Sequence, residues 1–120
     1  MNQAALANSE IAALLRRLPR DIAALAANVT VSLERQPSDA WIEDGIEPDT
    51  LGVFDGTPFN EEFSDSQPMP PRIILYLDNL WDFAEADVQT FRDEVRLTFL
   101  HELGHYLGWD EDELEARGLE

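Results

Sequence analysis

The sequence predicts an α+β fold: N-terminal helices, a small mixed β-sheet, and one long helix towards the C-terminal end. Three observations carry this reading. Ile11, Leu14, Leu15 and Leu18 recur at helical spacing. Two short stretches, residues 29–33 and 72–77, have the composition of strands. Val88, Phe91, Val95, Phe99 and Leu103 then hold a helical period over the longest regular run in the chain.

Residues 3–18 are expected to form an amphipathic helix, with alanines supplying high intrinsic propensity. Pro19 ends it and suits the first turn of a short second helix over 20–27. The period then changes to two. Val29, Val31 and Leu33 alternate with Thr30, Ser32 and Glu34, a half-buried strand that Pro37 stops. Residues 38–71 are the least regular part, with Pro48, Pro58, Pro68, Pro70 and Pro71 and with Gly45, Gly52 and Gly56. A short strand over 51–54 is expected there, ended by the turn Asp55-Gly56. Residues 60–67, with Glu61, Glu62 and Asp65, read as a mobile loop. Arg72-Ile-Ile-Leu-Tyr-Leu77 is an apolar run bounded by prolines and by Asp78-Asn79, a buried strand. The long helix is expected over 84–107, with Gly108 where a left-handed C-terminal cap belongs. The acidic tail, 110–120, adds one more short helix.

The chain has 120 residues and a mass of 13.6 kDa, which predicts a single domain over 1–120. A compact chain of that size removes roughly two-thirds of its unfolded surface from water, so it needs no staples. There is no cysteine, which excludes disulfides, thiolate metal sites and thiol nucleophiles. Asp and Glu total 25 against 8 Lys and Arg, a formal net charge of -17. Such a balance argues against nucleic-acid partners and against anionic membrane surfaces, both of which need a basic face. At 44% hydrophobic, the chain is no disordered acidic tail. No apolar run approaches the roughly 18 residues of a membrane span. Residues 1–18 lack the basic-then-apolar order of a signal peptide, since Arg16 and Arg17 follow the apolar part. The expectation is a cytoplasmic monomer.

The long helix ends in His101-Glu102-Leu103-Gly104-His105, the H-E-x-x-H pattern. Residues four apart on a helix are neighbours, with Cβ atoms about 5–6 Å apart. Two imidazoles so placed can share one ion at zinc–nitrogen distances of about 2.0–2.1 Å. Such an ion makes a water acidic near neutral pH, and Glu102 can take its proton as general base. By composition alone the string arises in about one chain in a few hundred of this length. Here, though, both of the chain's histidines lie in it, on the best-supported helix. The register continues through Gly108 to Glu111, matching the longer zinc motif in which a glycine turns the chain and a third ligand follows. Glu111 is therefore the candidate third ligand. Asp110, a water or a remote carboxylate are its alternatives, because Asp110 and Glu113 also have capping-box spacing. Trp41, Trp81, Trp109, Phe54, Phe59 and Phe63 read as packing or loop anchors. Tyr76 and Tyr106 could each offer a hydroxyl to an oxyanion, with packing the preferred role for Tyr106. Glu94 and Asp93 read as solvated helix face.

From Arg72 onward the sequence resembles the small bacterial zincin-like metallopeptidase family. The run Arg72-Ile-Ile-Leu-Tyr-Leu77 and the stretch from Thr98 through the histidines to Leu114 carry the specific part. Leu18-Pro19, residues 29–33 and Leu51-Gly-Val-Phe-Asp-Gly-Thr-Pro58 fit the family pattern more loosely. The resemblance implies a minimal zincin fold, with the motif helix lining an open cleft. It implies zinc held by His101 and His105, with Glu102 as the catalytic carboxylate. The family commonly has aspartate where this chain has Glu111, and often a second histidine where it has Tyr106.

The expected function is zinc-dependent hydrolysis of peptide bonds in short or flexible substrates. The substrate is expected to lie along a sheet edge, with residues 72–77 as the candidate strand. Two alternatives stand beside this. One is a metal-binding module without turnover. The other is an acidic module that binds a basic protein.

Overall fold

Helix α1 (Gln3–Arg17) begins where the Asn2 side chain accepts the Ala5 N–H at 3.0 Å, satisfying one of the free donors of a first turn. It stops before Pro19, and α2 (Arg20–Ala26) follows at once. Ala7, Ile11 and Leu14 of α1 and Ile22 and Ala26 of α2 are buried. Each helix ends one residue earlier than its periodicity implies. The structure, a computed structural model, describes residues 2–119. Met1 and Glu120, the ends of the expected 1–120 domain, lie outside the described residues.

Among the described residues the sheet has three strands: β1 (Thr30–Glu34), β2 (Gly52–Asp55) and β3 (Arg72–Tyr76). Their order is β1-β3-β2, with β1 parallel and β2 antiparallel to β3. The sheet is mixed, as expected. The last strand in sequence is the central one, which explains its unbroken apolar run: a strand covered on both faces has no solvent side to make polar. Ile73 and Leu75 face the helices, and Ile74 and Tyr76 pack with Val53 on the opposite face. Trp41 and Ile46 cover that second face. Trp41 sits on α3 (Asp39–Glu43), which starts at a Ser38 cap. This helix falls inside the stretch expected to be irregular; it is too short for an apolar period to show.

The chain leaves β3 directly into a second unforeseen helix, α4 (Leu77–Phe83). Leu77, expected as strand, opens it. The long helix, α5 (Val88–Leu107), starts four residues later than expected, at an Asp87 cap that accepts the Thr90 N–H at 2.9 Å. Glu85 and Ala86 break the path with φ of 53° and 60°. Leu80, Ala84 and Phe91 all face one core, so apolar spacing alone could not separate two helices here. Val88 is 39% exposed and lies outside the core stripe that its spacing suggested. Phe91, Val95, Phe99 and Leu103 are buried, as expected, and Trp81 packs on Phe91 with ring centroids 5.4 Å apart. Glu10 of α1 reaches Arg92 and Arg96 of α5 at 3.3 and 3.5 Å.

The 57–69 segment is tied down more than its composition suggested. Thr57 and Met69 exchange backbone and hydroxyl hydrogen bonds. A 3-10 turn (Phe59–Glu61) packs Phe59 on Tyr106, and the Tyr106 hydroxyl donates to Glu62 at 3.2 Å. Phe63 is 90% exposed and anchors nothing in the core. The tail folds as α6 (Glu111–Ala116), which buries Leu114. No helix among the described residues is long and apolar enough to cross a membrane.

Candidate metal centre

His101, Glu102 and His105 lie on the last two turns of α5, where helical spacing alone puts the two imidazoles side by side. Their ring centroids are 4.6 Å apart. Glu102 is only 6% exposed, whereas both histidines are half-exposed at the surface. The Glu102 carboxylate lies 3.0 Å from Nδ1 of His105 and 3.9 Å from Nε2 of His101. One ligand atom from each of the three falls within 4.8 Å of the others.

Burial pushes the Glu102 carboxyl up to about 7, from an ordinary 4.5. The neighbouring His101 and a hydrogen bond from the Phe54 backbone amide pull it part of the way back. Removal from water disfavours the charged form, and a nearby positive charge restores it. The pocket thus has the character of a carboxylate site that a cation would complete. By donor chemistry the set fits zinc: imidazole nitrogens and carboxylate oxygens, with no thiolate.

The approach of Glu111 depends on two glycines. Gly108 caps α5 in the left-handed region, at φ 77°, where a side chain would be strained. The Trp109 N–H donates to Gly104 and the Gly108 N–H to His105, the crossed pair of bonds that reverses a chain after a helix. Gly104 has a separate reason. A Cβ there would meet the Trp109 carbonyl oxygen at 2.9 Å and Leu114 at 3.1 Å. The chain returns so closely over α5 that Glu111 Oε1 stands 3.4 Å from Nδ1 of His101. Glu111 lies outside the three-residue cluster, with an exposed side chain. Asp110 is occupied differently: its carboxylate accepts the Glu113 N–H at 2.9 Å and caps α6.

Strand β2 forms the other wall. The expectation that residues 72–77 offer a free edge is corrected here. β3 is paired on both sides, and β2 is the edge that lies on α5. Leu51 accepts the Tyr76 N–H. Bonding alternates along an antiparallel pair, so the backbone groups of Gly52 and Phe54 point away from β3. Gly52 has no room for a side chain, since its Cβ would fall 2.8 Å from Cγ2 of Thr98. Two open cavities flank the centre and share His101 and Glu111 as lining. One, of about 350 Å³, is lined by Leu51, Gly52, Leu97 and Thr98. The other, of about 480 Å³, is lined by Phe54, Pro58 and Trp109.

Neither tyrosine faces the centre as an oxyanion donor. Tyr76 is buried on the far face of the sheet. Tyr106 is buried with its hydroxyl bonded to Glu62 and its ring 5.7 Å from that of Phe54, in the packing role expected of it. Sequence reasoning missed Leu51, Gly52, Leu97 and Thr98. Leu97 had a signal, an apolar residue four before His101, but it reads equally as core. Gly52 had none that distinguishes it from a turn glycine.

The family model for zincin-like metallopeptidases matches residues 26–119, covering the whole sheet and the whole centre. No curated protein matches the sequence.

Proposed function

Because the chain belongs to the zincin-like metallopeptidase family, we propose that it is a zinc-dependent hydrolase of peptide bonds with Glu102 as general base. The observation that carries this reading is the buried Glu102 carboxylate set between two exposed imidazoles beneath an open strand edge. In this reading His101, His105 and Glu111 hold the metal. The 3.4 Å approach of Glu111 to His101 supports it as the third ligand, as does the engagement of Asp110 in a helix cap. When bound, zinc supplies the Lewis acidity that makes a water acidic near neutral pH and polarises a carbonyl.

The remaining chemistry belongs to the chain. Glu102 takes the proton of the attacking water and returns one to the leaving amine. The Phe54 amide steadies the carboxylate. The outward N–H and C=O of Gly52 and the outward C=O of Phe54 receive an extended substrate as an added strand, the Phe54 N–H being bonded to Glu102.

Zinc content and peptide cleavage test this together. The purified protein is expected to hold about one zinc per chain. His101→Ala is expected to lose it and Glu111→Ala to hold it more weakly. Glu102→Gln is expected to keep the zinc and to lose cleavage by about 10²–10⁴-fold. Failure to take up supplied zinc would sink the proposal.

A further inference from the structure

The groove is apolar on both sides of the metal residues, and the spacing of its two cavities carries information about substrate. One cavity opens at Leu51 and Leu97, the other at Phe54 and Trp109. Leu97 is 38% exposed, an apolar side chain left towards water beside a polar centre. Along β2 the cavities are anchored at Gly52 and Phe54, two residues apart. A strand added to that edge has its side chains alternate, so residues i and i+2 point to the same face. Those two residues can fill both cavities, and adjacent residues cannot.

Charge narrows the class further. Beyond Leu51 the surface carries Asp49 and Asp82, and at the other end Asp110 and Glu111 line the cavity. No arginine lines either of the two cavities among the described residues. Arg117 stacks over the Trp109 ring at 3.8 Å but is paired to Glu113 at 2.7 Å. An acidic peptide would enter a field of like charge.

We infer that the site selects an extended peptide with apolar side chains at two positions separated by one residue, in a neutral or basic context, and cuts within that stretch. The inference rests on the hydrolase reading for the cut. It rests on the groove alone for the selection.

The test uses zinc-loaded Glu102→Gln protein and synthetic octapeptides, with affinity read by calorimetry. One peptide carries Leu and Phe at positions i and i+2. Its counterparts carry the same residues at i and i+1, or Ser at both positions, or Asp at both. The first is expected to bind about tenfold more tightly than each of the others, the scale of a filled against an empty apolar pocket. Leu97→Lys and Leu97→Ser, both at an exposed position, are each expected to abolish the preference at one of the two positions and to leave the other. Equal affinities, no measurable binding, tightest binding of the Asp peptide, or a preference unmoved by both Leu97 variants would overturn the inference. The wild-type protein separates the two readings. Cleavage of the Ser peptide as fast as the Leu/Phe peptide overturns the inference and leaves the hydrolase standing. Selective binding without any cleavage overturns the hydrolase and leaves the selection standing.

Discussion

The Trp109 N–H donates to the Gly104 carbonyl at 2.8 Å, and the Trp109 carbonyl lies within 2.9 Å of the place where a Gly104 Cβ would stand. One residue type at 104 thus permits the return of the chain that carries Glu111 to His101. Two effects compete in Gly104→Ala. Helix propensity favours alanine by about 1 kcal/mol. Contact with a backbone oxygen, which cannot swing aside, costs about 1–3 kcal/mol. The clash is expected to win, lowering stability by about 1 kcal/mol and weakening zinc binding with it. A denaturant midpoint raised by the substitution, with zinc affinity intact, would contradict this account.

Glu102 makes the stability of the metal-free protein depend on pH. Its folded pKa of about 7 lies above the ordinary 4.5, so the fold holds a proton that the unfolded chain has released. The stabilisation is complete below the lower value and disappears as pH rises through the higher one. Between about pH 5 and about pH 8, wild type is expected to lose on the order of 2–3 kcal/mol relative to Glu102→Gln. Urea titrations in the presence of a chelator measure it. Parallel pH profiles for the two proteins would show that Glu102 is not the cause.

Ala86 holds a φ of 60°, in the left-handed region. For a residue with a Cβ that conformation costs about 1–2 kcal/mol. Glycine removes the strain but adds about 0.4–1 kcal/mol of unfolded-chain entropy. Ala86→Gly is therefore expected to stabilise by about 0.5–1 kcal/mol, seen as a higher urea midpoint with an unchanged slope.

Glu10 is buried between Arg92 and Arg96, which are about one-third exposed. Glu10→Ala strips Arg92 of its partner and leaves Arg96 with Asp93 alone, at 3.3 Å, and both guanidiniums regain water. The expected cost is about 1–2 kcal/mol. Arg92 and Arg96 lie nine and five residues before His101, roughly 13 and 7 Å along the helix, and pair with Glu10 and Asp93 rather than with a residue of the centre. Zinc stoichiometry is expected to be unchanged, which metal analysis of the refolded variant checks.

Long, periodic elements were legible before the fold was seen. Helices α1, α2 and α5, and strands β1 and β3, follow from the spacing of residues such as Ile11, Leu14, Phe91 and Phe99. Helices α3 and α4 were not legible. Each is under two turns, too short for a period to accumulate, and neither has the leading proline and alanine content that marked the equally short α2. The start of α5 was misjudged because Leu80 of α4, Ala84 at its C-terminal cap and Phe91 of α5 belong to the same core.

The side-by-side histidines with Glu102 between them were readable from the chain alone, because helical geometry relates residues four apart without help from the rest of the fold. The burial of Glu102, the contact of Gly52 with Thr98 and the exposure of the β2 edge were decided only by tertiary structure. They depend on β3 entering between β1 and β2, a pairing of segments far apart in sequence. Residues 72–77 read as the natural edge for a substrate, yet their apolar run reflects cover on both faces. Local spacing shows that a strand is buried, but which strand remains at the edge depends on how all three pack against α5.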